Sequence, residues 1–98
     1  MYRNSAYDED LAKNLQNRAA AQAYLLALIE GEDGLSLEDA LKHTIKRMGV
    51  SEYSDRAKIA MPNVMNFLRG KRKLKLGSLD VFLKPFGLRT KVVVEKAS

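Results

Sequence analysis

The stretch from Ser36 to Gly49 constrains the fold more than any other part of the chain. Leu37, Leu41, Ile45 and Met48 recur at the 3.6-residue period of a helix, so one face is apolar from end to end. Ser36 followed by Asp39 has the spacing of a capping box, with Asp in place of the usual Glu. Lys46, Arg47 and then Gly49 mark the far end, the glycine supplying a left-handed stop. A helix with such a stripe must be covered by other elements, and the rest of the sequence supplies mostly helices.

Over 7–16 the acids come first and Lys13 later, which suits a helix dipole, with Leu11 and Leu15 forming a narrow apolar stripe. Asn17 is placed to cap a second helix running to about Glu30; its 24–29 segment is apolar nearly all round and must be buried by the domain, a second subunit or a partner. Residues 31–34, two glycines around two acids, read as a loop. Ser51 can cap a short helix over 52–57. After Lys58, Ile59 and Ala60 another helix spans 61–69, with Val64, Phe67 and Leu68 inward, Pro62 tolerated only in the first turn, and Gly70 closing it. Residues 71–75 form an exposed loop. Ser78 caps a last helix to about Pro85 with Leu79, Phe82 and Leu83 inward, and Gly87 ends it. The β-branched run over 90–95 reads as a strand, and a single strand needs a partner, for which the same segment of a second subunit is available. The expected fold is therefore mainly α with a short C-terminal β-strand. Residues 1–34 form an acidic N-terminal helical extension packed on a domain of residues 35–98.

Several function classes are disfavoured by composition. The 98 residues, 46% hydrophobic, have room for one domain with a modest core and not for a separate catalytic one. Without cysteine there is no disulfide, thiolate zinc site or cysteine nucleophile. The single histidine, His43, falls two residues off the apolar stripe and faces water, and the carboxylates are scattered, so no enzyme activity, metal or cofactor is expected. Residues 1–10 carry three acids and no apolar run, and no stretch approaches the roughly 20 apolar residues of a membrane span. A soluble, cytoplasmic protein without membrane attachment is the expectation.

The net charge of +5 conceals a polar chain. Residues 1–39 hold eight acids against three bases, so 14 of the 17 bases and only 4 of the 12 acids lie beyond them. Such asymmetry provides a basic face for a polyanion and an acidic face that is either solvated surface or a docking site for a basic partner. Between Arg56 and Lys75 there are seven bases, Arg56, Lys58, Arg69, Lys71, Arg72, Lys73 and Lys75, and no acid. Five of them lie within 69–75, at and just after the end of the 61–69 helix, where they would meet phosphates. Two short helices three residues apart, then a glycine stop and a basic loop, suit the major groove of double-stranded DNA, which is ~12 Å wide and admits one helix.

With these features the chain resembles the lambda-repressor-like (Xre-type) helix-turn-helix superfamily, and more narrowly the addiction-module antidote proteins, antitoxins encoded beside a RelE-like toxin. The match is carried by Tyr7-Asp8-Glu9-Asp10-Leu11, Ala23-Tyr24-Leu25, Glu30-Gly31-Glu32-Asp33 and Phe86-Gly87-Leu88-Arg89, in the family's order. The resemblance implies a five-helix domain that represses transcription of its own operon and a basic RelE-like toxin as partner. It also places Met61, Pro62, Met65 and Asn66 outward on the DNA-reading helix, with Asn63 near its start and Arg69 at its exit. Among these Asn66 can pair with the N6 and N7 edge of adenine, while Met61, Pro62 and Met65 can offer only apolar contact, to a thymine methyl group or to a protein. The chain departs from the superfamily at three positions: Lys58 stands where the turn has glycine, Ala60 where a serine caps the reading helix, and Ser54 where alanine packs. A turn without glycine forms if Lys58 is not left-handed, and an uncapped start leaves amides that a phosphate could reach. A homodimer is expected, since one reading helix covers too few base pairs and half-sites lie ~34 Å apart. The alternative is a protein that neutralises a toxin through its acidic half with little or no operator binding.

Overall fold

A computed structural model describes residues 5–32, 34–71 and 73–97, with side chains from Glu9 onward. It is mainly helical: α1 (Ser5–Asn14), α2 (Arg18–Glu30), α3 (Leu37–Met48), α4 (Val50–Ala57), α5 (Met61–Leu68) and α6 (Leu76–Leu83), followed by a 3-10 turn, Lys84–Phe86. The stripe read from sequence builds the centre. Leu41, Ile45 and Met48 of α3 are fully buried with Ala40 and Thr44, and the Thr44 hydroxyl is satisfied by donating to the Ala40 carbonyl at 2.8 Å. Ser36 caps α3 by accepting from the Asp39 amide at 3.2 Å, and Asn17 caps α2 by accepting from the Ala20 amide at 3.1 Å.

The apolar second helix is covered within the chain. Ala21 and Leu25 are buried in the same core cluster as Val64 and Phe67 of α5, with Tyr24, Leu28 and Ile29 packed on its edge. Two amide side chains tie the outer helices down. The Gln16 amide donates to the Met48 carbonyl at 2.8 Å, and the Gln22 amide to the Phe86 carbonyl at 3.0 Å.

α1 lies at 5–14 and not over 7–16, the last helix gives way to a 3-10 turn after Leu83, and three other junctions differ from expectation for stated reasons. The fourth helix begins at Val50 and not after a Ser51 cap: the Tyr53 amide donates to the Gly49 carbonyl at 3.0 Å, so Ser51 already lies in the first turn. Gly49 joins α3 to α4 at φ 105° and ψ 127°, a backbone that favours glycine but is not the left-handed helical stop expected. The sixth helix begins at Leu76 and not after a Ser78 cap. Its N-cap, Lys75, makes no side-chain capping bond, but Leu74 and Leu79 flank the start at the spacing of a hydrophobic staple, Leu79 in the core and Leu74 packed against it.

The expected strand over 90–95 is not formed: among the described residues there is no strand, and residues 88–97 are irregular. A strand needs a ladder partner, and the described residues hold no second extended segment to provide one. Residues 91–97 are exposed. The start of this tail is nevertheless fixed, since the Thr90 amide and hydroxyl each donate to Asp80 Oδ1 at 2.6 Å.

Candidate nucleic-acid interface

α4 and α5 are two eight-residue helices joined by Lys58, Ile59 and Ala60. Tyr53 fixes α4 to the body. Its buried ring lies 5.9 Å from that of Phe86, nearly parallel, and its hydroxyl donates to the Phe82 carbonyl at 2.6 Å. Burial raises the Tyr53 phenol far above its ordinary value of 10.0, so it stays protonated as that donor. α5 is fixed from its inner face. Val64 and Phe67 are buried, the Phe67 ring meets Phe82 edge-on at 5.0 Å, and the Lys42 ammonium of α3 lies 5.3 Å from the Phe67 ring centre.

Lys58 has φ 56° and ψ 40°, so the turn is left-handed at lysine. That corrects the expectation of a turn avoiding this conformation. Ser54 explains how the turn closes. Its carbonyl accepts from the Lys58 and Ile59 amides, the latter at 3.2 Å, and its hydroxyl donates to the Ile59 carbonyl at 2.5 Å. Alanine here could not make the last bond. At the start of α5 the uncapped end is smaller than expected: Pro62 has no N–H and the Asn63 amide donates to the Ala60 carbonyl at 2.9 Å.

The outward residues separate into two groups. Met61, Pro62 and Asn63 are exposed, while Met65 and Asn66 are half-buried. Arg56 and Lys58 before the helix, and Arg69, Lys71, Lys73 and Lys75 after it, are all exposed; Arg72 lies outside the described residues. Asn63, although exposed, also borders a depression. It lines a shallow cleft of about 210 Å³ with Ile59, Leu74, Ser78, Val81 and Phe82.

A second cleft adds residues that sequence reading missed. Arg18 and Lys84 converge with Arg56 and Lys58 around a space of about 320 Å³ floored by Ala57 and Pro85. Gly87 makes room for this: a Cβ there would come within 2.6 Å of the Arg18 guanidinium. Arg18 sits in the acidic half and Lys84 beyond the basic run, so nothing in local sequence joins them. Four cations around one cleft form a surface that an anion would neutralise.

Among the described residues no group of three or more His, Cys, Asp or Glu is placed to hold a metal ion, and His43 is exposed. Nor is any described helix long and apolar enough to cross a membrane. Comparison with protein-family models, with characterised proteins and with solved structures found no match.

Proposed function

We propose that this chain is a sequence-specific DNA-binding regulator of the helix-turn-helix kind, with α5 as reading helix, acting as the antitoxin of a toxin-antitoxin pair that represses its own operon. One observation carries the reading. A short helix fixed from its inner face presents Met61, Pro62 and Asn63 outward, and exposed cations without an intervening acid flank it on both sides. The flanking groups would hold phosphates and the exposed helix face would meet base edges, a division of labour common to groove-reading proteins. Arg18 and Lys84 extend the phosphate-holding surface past the turn.

Retardation of duplex DNA as a function of salt tests it. Neutralising five or more phosphates gives a log–log slope of about −4 or steeper, and a flat plot across duplexes, including the upstream region of its own gene, refutes DNA binding. Asn63→Ala or Asn66→Ala is expected to weaken a preferred site by about 5- to 150-fold and leave unrelated DNA nearly unchanged. Lys73→Ala should weaken all duplexes alike and lower the slope by about one.

The toxin-neutralising reading is favoured by a separate observation: Glu9, Asp10, Glu30, Glu32 and Asp39 are exposed acids in the N-terminal half. Deleting that half is not a usable test, because Leu15, Ala21 and Leu25 belong to the common core. Reversing Glu9, Asp10, Glu30 and Glu32 to lysine in the full chain is. Toxin affinity then falls with DNA binding retained if the acids dock the toxin.

A further inference from the structure

Val92, Val93 and Val94 are exposed by 68%, 66% and 92%, the most exposed large apolar side chains of the described residues. They lie in a segment, 91–97, whose backbone makes no backbone hydrogen bond among the described residues. The run Lys91-Val92-Val93-Val94-Glu95 has a further property. Reversed and laid against itself about Val93, it sets Lys91 opposite Glu95, Val92 opposite Val94 and Val93 opposite itself. A two-fold antiparallel pairing uses the same segment twice, so each opposition occurs twice except at the centre.

We propose that this segment pairs with its own copy in a second chain, as a two-stranded antiparallel ribbon centred on Val93. Every facing pair is then favourable: two Lys–Glu pairs, two Val–Val pairs and one Val–Val pair at the axis. A shift by one residue in either direction loses this. Centring between Val93 and Val94 sets Glu95 opposite Val92, and a parallel in-register pairing sets Lys91 against Lys91 and Glu95 against Glu95. The side-chain alternation also sorts the faces, with Val92 and Val94 of both strands on one and the charged pairs beside Val93 on the other. An isolated ribbon of two strands is marginal in water and needs a covering element. α6, which holds Thr90 through Asp80, leaves Leu76, one helical turn from Asp80, exposed by 54%, an apolar side chain on the helix face from which the tail departs. The pairing fits the two half-sites that the DNA reading calls for, yet its test is independent of DNA.

Sedimentation of the full chain at micromolar concentration is expected to give a dimer; a monomer throughout that range overturns the proposal. Lys91→Glu alone, or Glu95→Lys alone, turns two attractive pairs into repulsive ones and should weaken the dimer roughly five- to thirtyfold, less in high salt. The exchange of both, K91E with E95K, should restore it. A dimer indifferent to the single changes, or not restored by the exchange, is held by some other surface and also overturns the proposal.

The native chain has no cysteine, so single cysteines report the register directly. Facing Cα atoms in an antiparallel ladder lie ~4.5 to 5.5 Å apart, within disulfide range, and a residue on the axis faces its own copy. Val93→Cys should cross-link rapidly on mild oxidation and Val92→Cys or Val94→Cys slowly. Equal rates at the three positions rule out this register. These side chains lie outside the helical core, so the helical circular dichroism signal is expected to be unchanged in every variant.

Discussion

The C-terminal stops of α4 and α5 are built on one backbone plan with different residues. After α5, Gly70 is left-handed at φ 71°, with its amide donating to the Phe67 carbonyl and the Lys71 amide to that of Asn66, the paired bonds of a Schellman stop. Before it, Lys58 is left-handed at φ 56°, with the Ile59 amide reaching the Ser54 carbonyl by the same six-residue span. One position uses the residue that adopts this conformation freely; the other forces it on a side chain that does not. The strain at Lys58 is held in place by Ser54, and the exit at Gly70 needs no such help. The basic side chain at Lys58 then lies on the rim of the cationic cleft with Arg18, Arg56 and Lys84, a position glycine would leave without charge.

Removing the advantage at the exit should have the largest effect. Gly70→Ala meets no atom within 4 Å, so its effect is purely one of backbone conformation and should lower stability by about 1 to 2 kcal/mol in urea unfolding. A loss near zero would mean that the exit is not held left-handed in solution. Ser54→Ala removes a half-buried bond at the start of α5 and should cost about 1 kcal/mol by the same measurement. Lys58→Gly relieves the strain but gives the unfolded chain more freedom, leaving a net gain of about 0.5 to 1 kcal/mol. If Lys58 also holds a phosphate, that variant should be more stable and bind DNA less tightly. A gain in both would separate the charge from the interface.

A third left-handed stop, Gly87, leads into the tail, and there the restraint is a carboxylate. The Asp80 carboxyl lies below its ordinary range chiefly because the Thr90 hydroxyl and then its amide donate to it, with Arg89 adding a smaller attraction. A depressed folded value means that the clip is intact above the ordinary carboxylate value of about 4 and is lost as pH falls through the lower folded one. The Thr90 amide and Asp80 carboxyl resonances should move together in an acid titration, and Asp80→Asn should abolish the Thr90 shift.

The helical parts were legible where a stripe and a cap coincide, as in Leu37–Met48 with Ser36, or Arg18–Glu30 with Asn17. Starts were misread where a serine suggested a side-chain cap but the turn was fixed by burial instead. At α4 buried Met48 and Tyr53 flank the start, and at α6 Leu74 and Leu79 do. The handedness of Lys58 was not legible, since sequence gives lysine no reason to be left-handed; the clue was Ser54, whose hydroxyl reaches forward over the turn. Of the candidate interface, the flanking cations could be read from their one-signed run. Arg18 and Lys84 could not, because 66 residues separate them and only the packing of α2 on the 3-10 turn brings them together.

That same closure, fastened by the bond from Gln22 to the Phe86 carbonyl, spans 64 residues of chain. On a ribosome adding about 5 to 20 residues per second, α2 is therefore complete at Glu30 roughly 3 to 11 s before Phe86, which closes over its far side, has been synthesised. During that interval Tyr24, Leu25 and Leu28 are available to whatever else binds helices with exposed apolar faces. The growing chain thus depends on rapid docking of α3, or on a chaperone, well before its last turn exists.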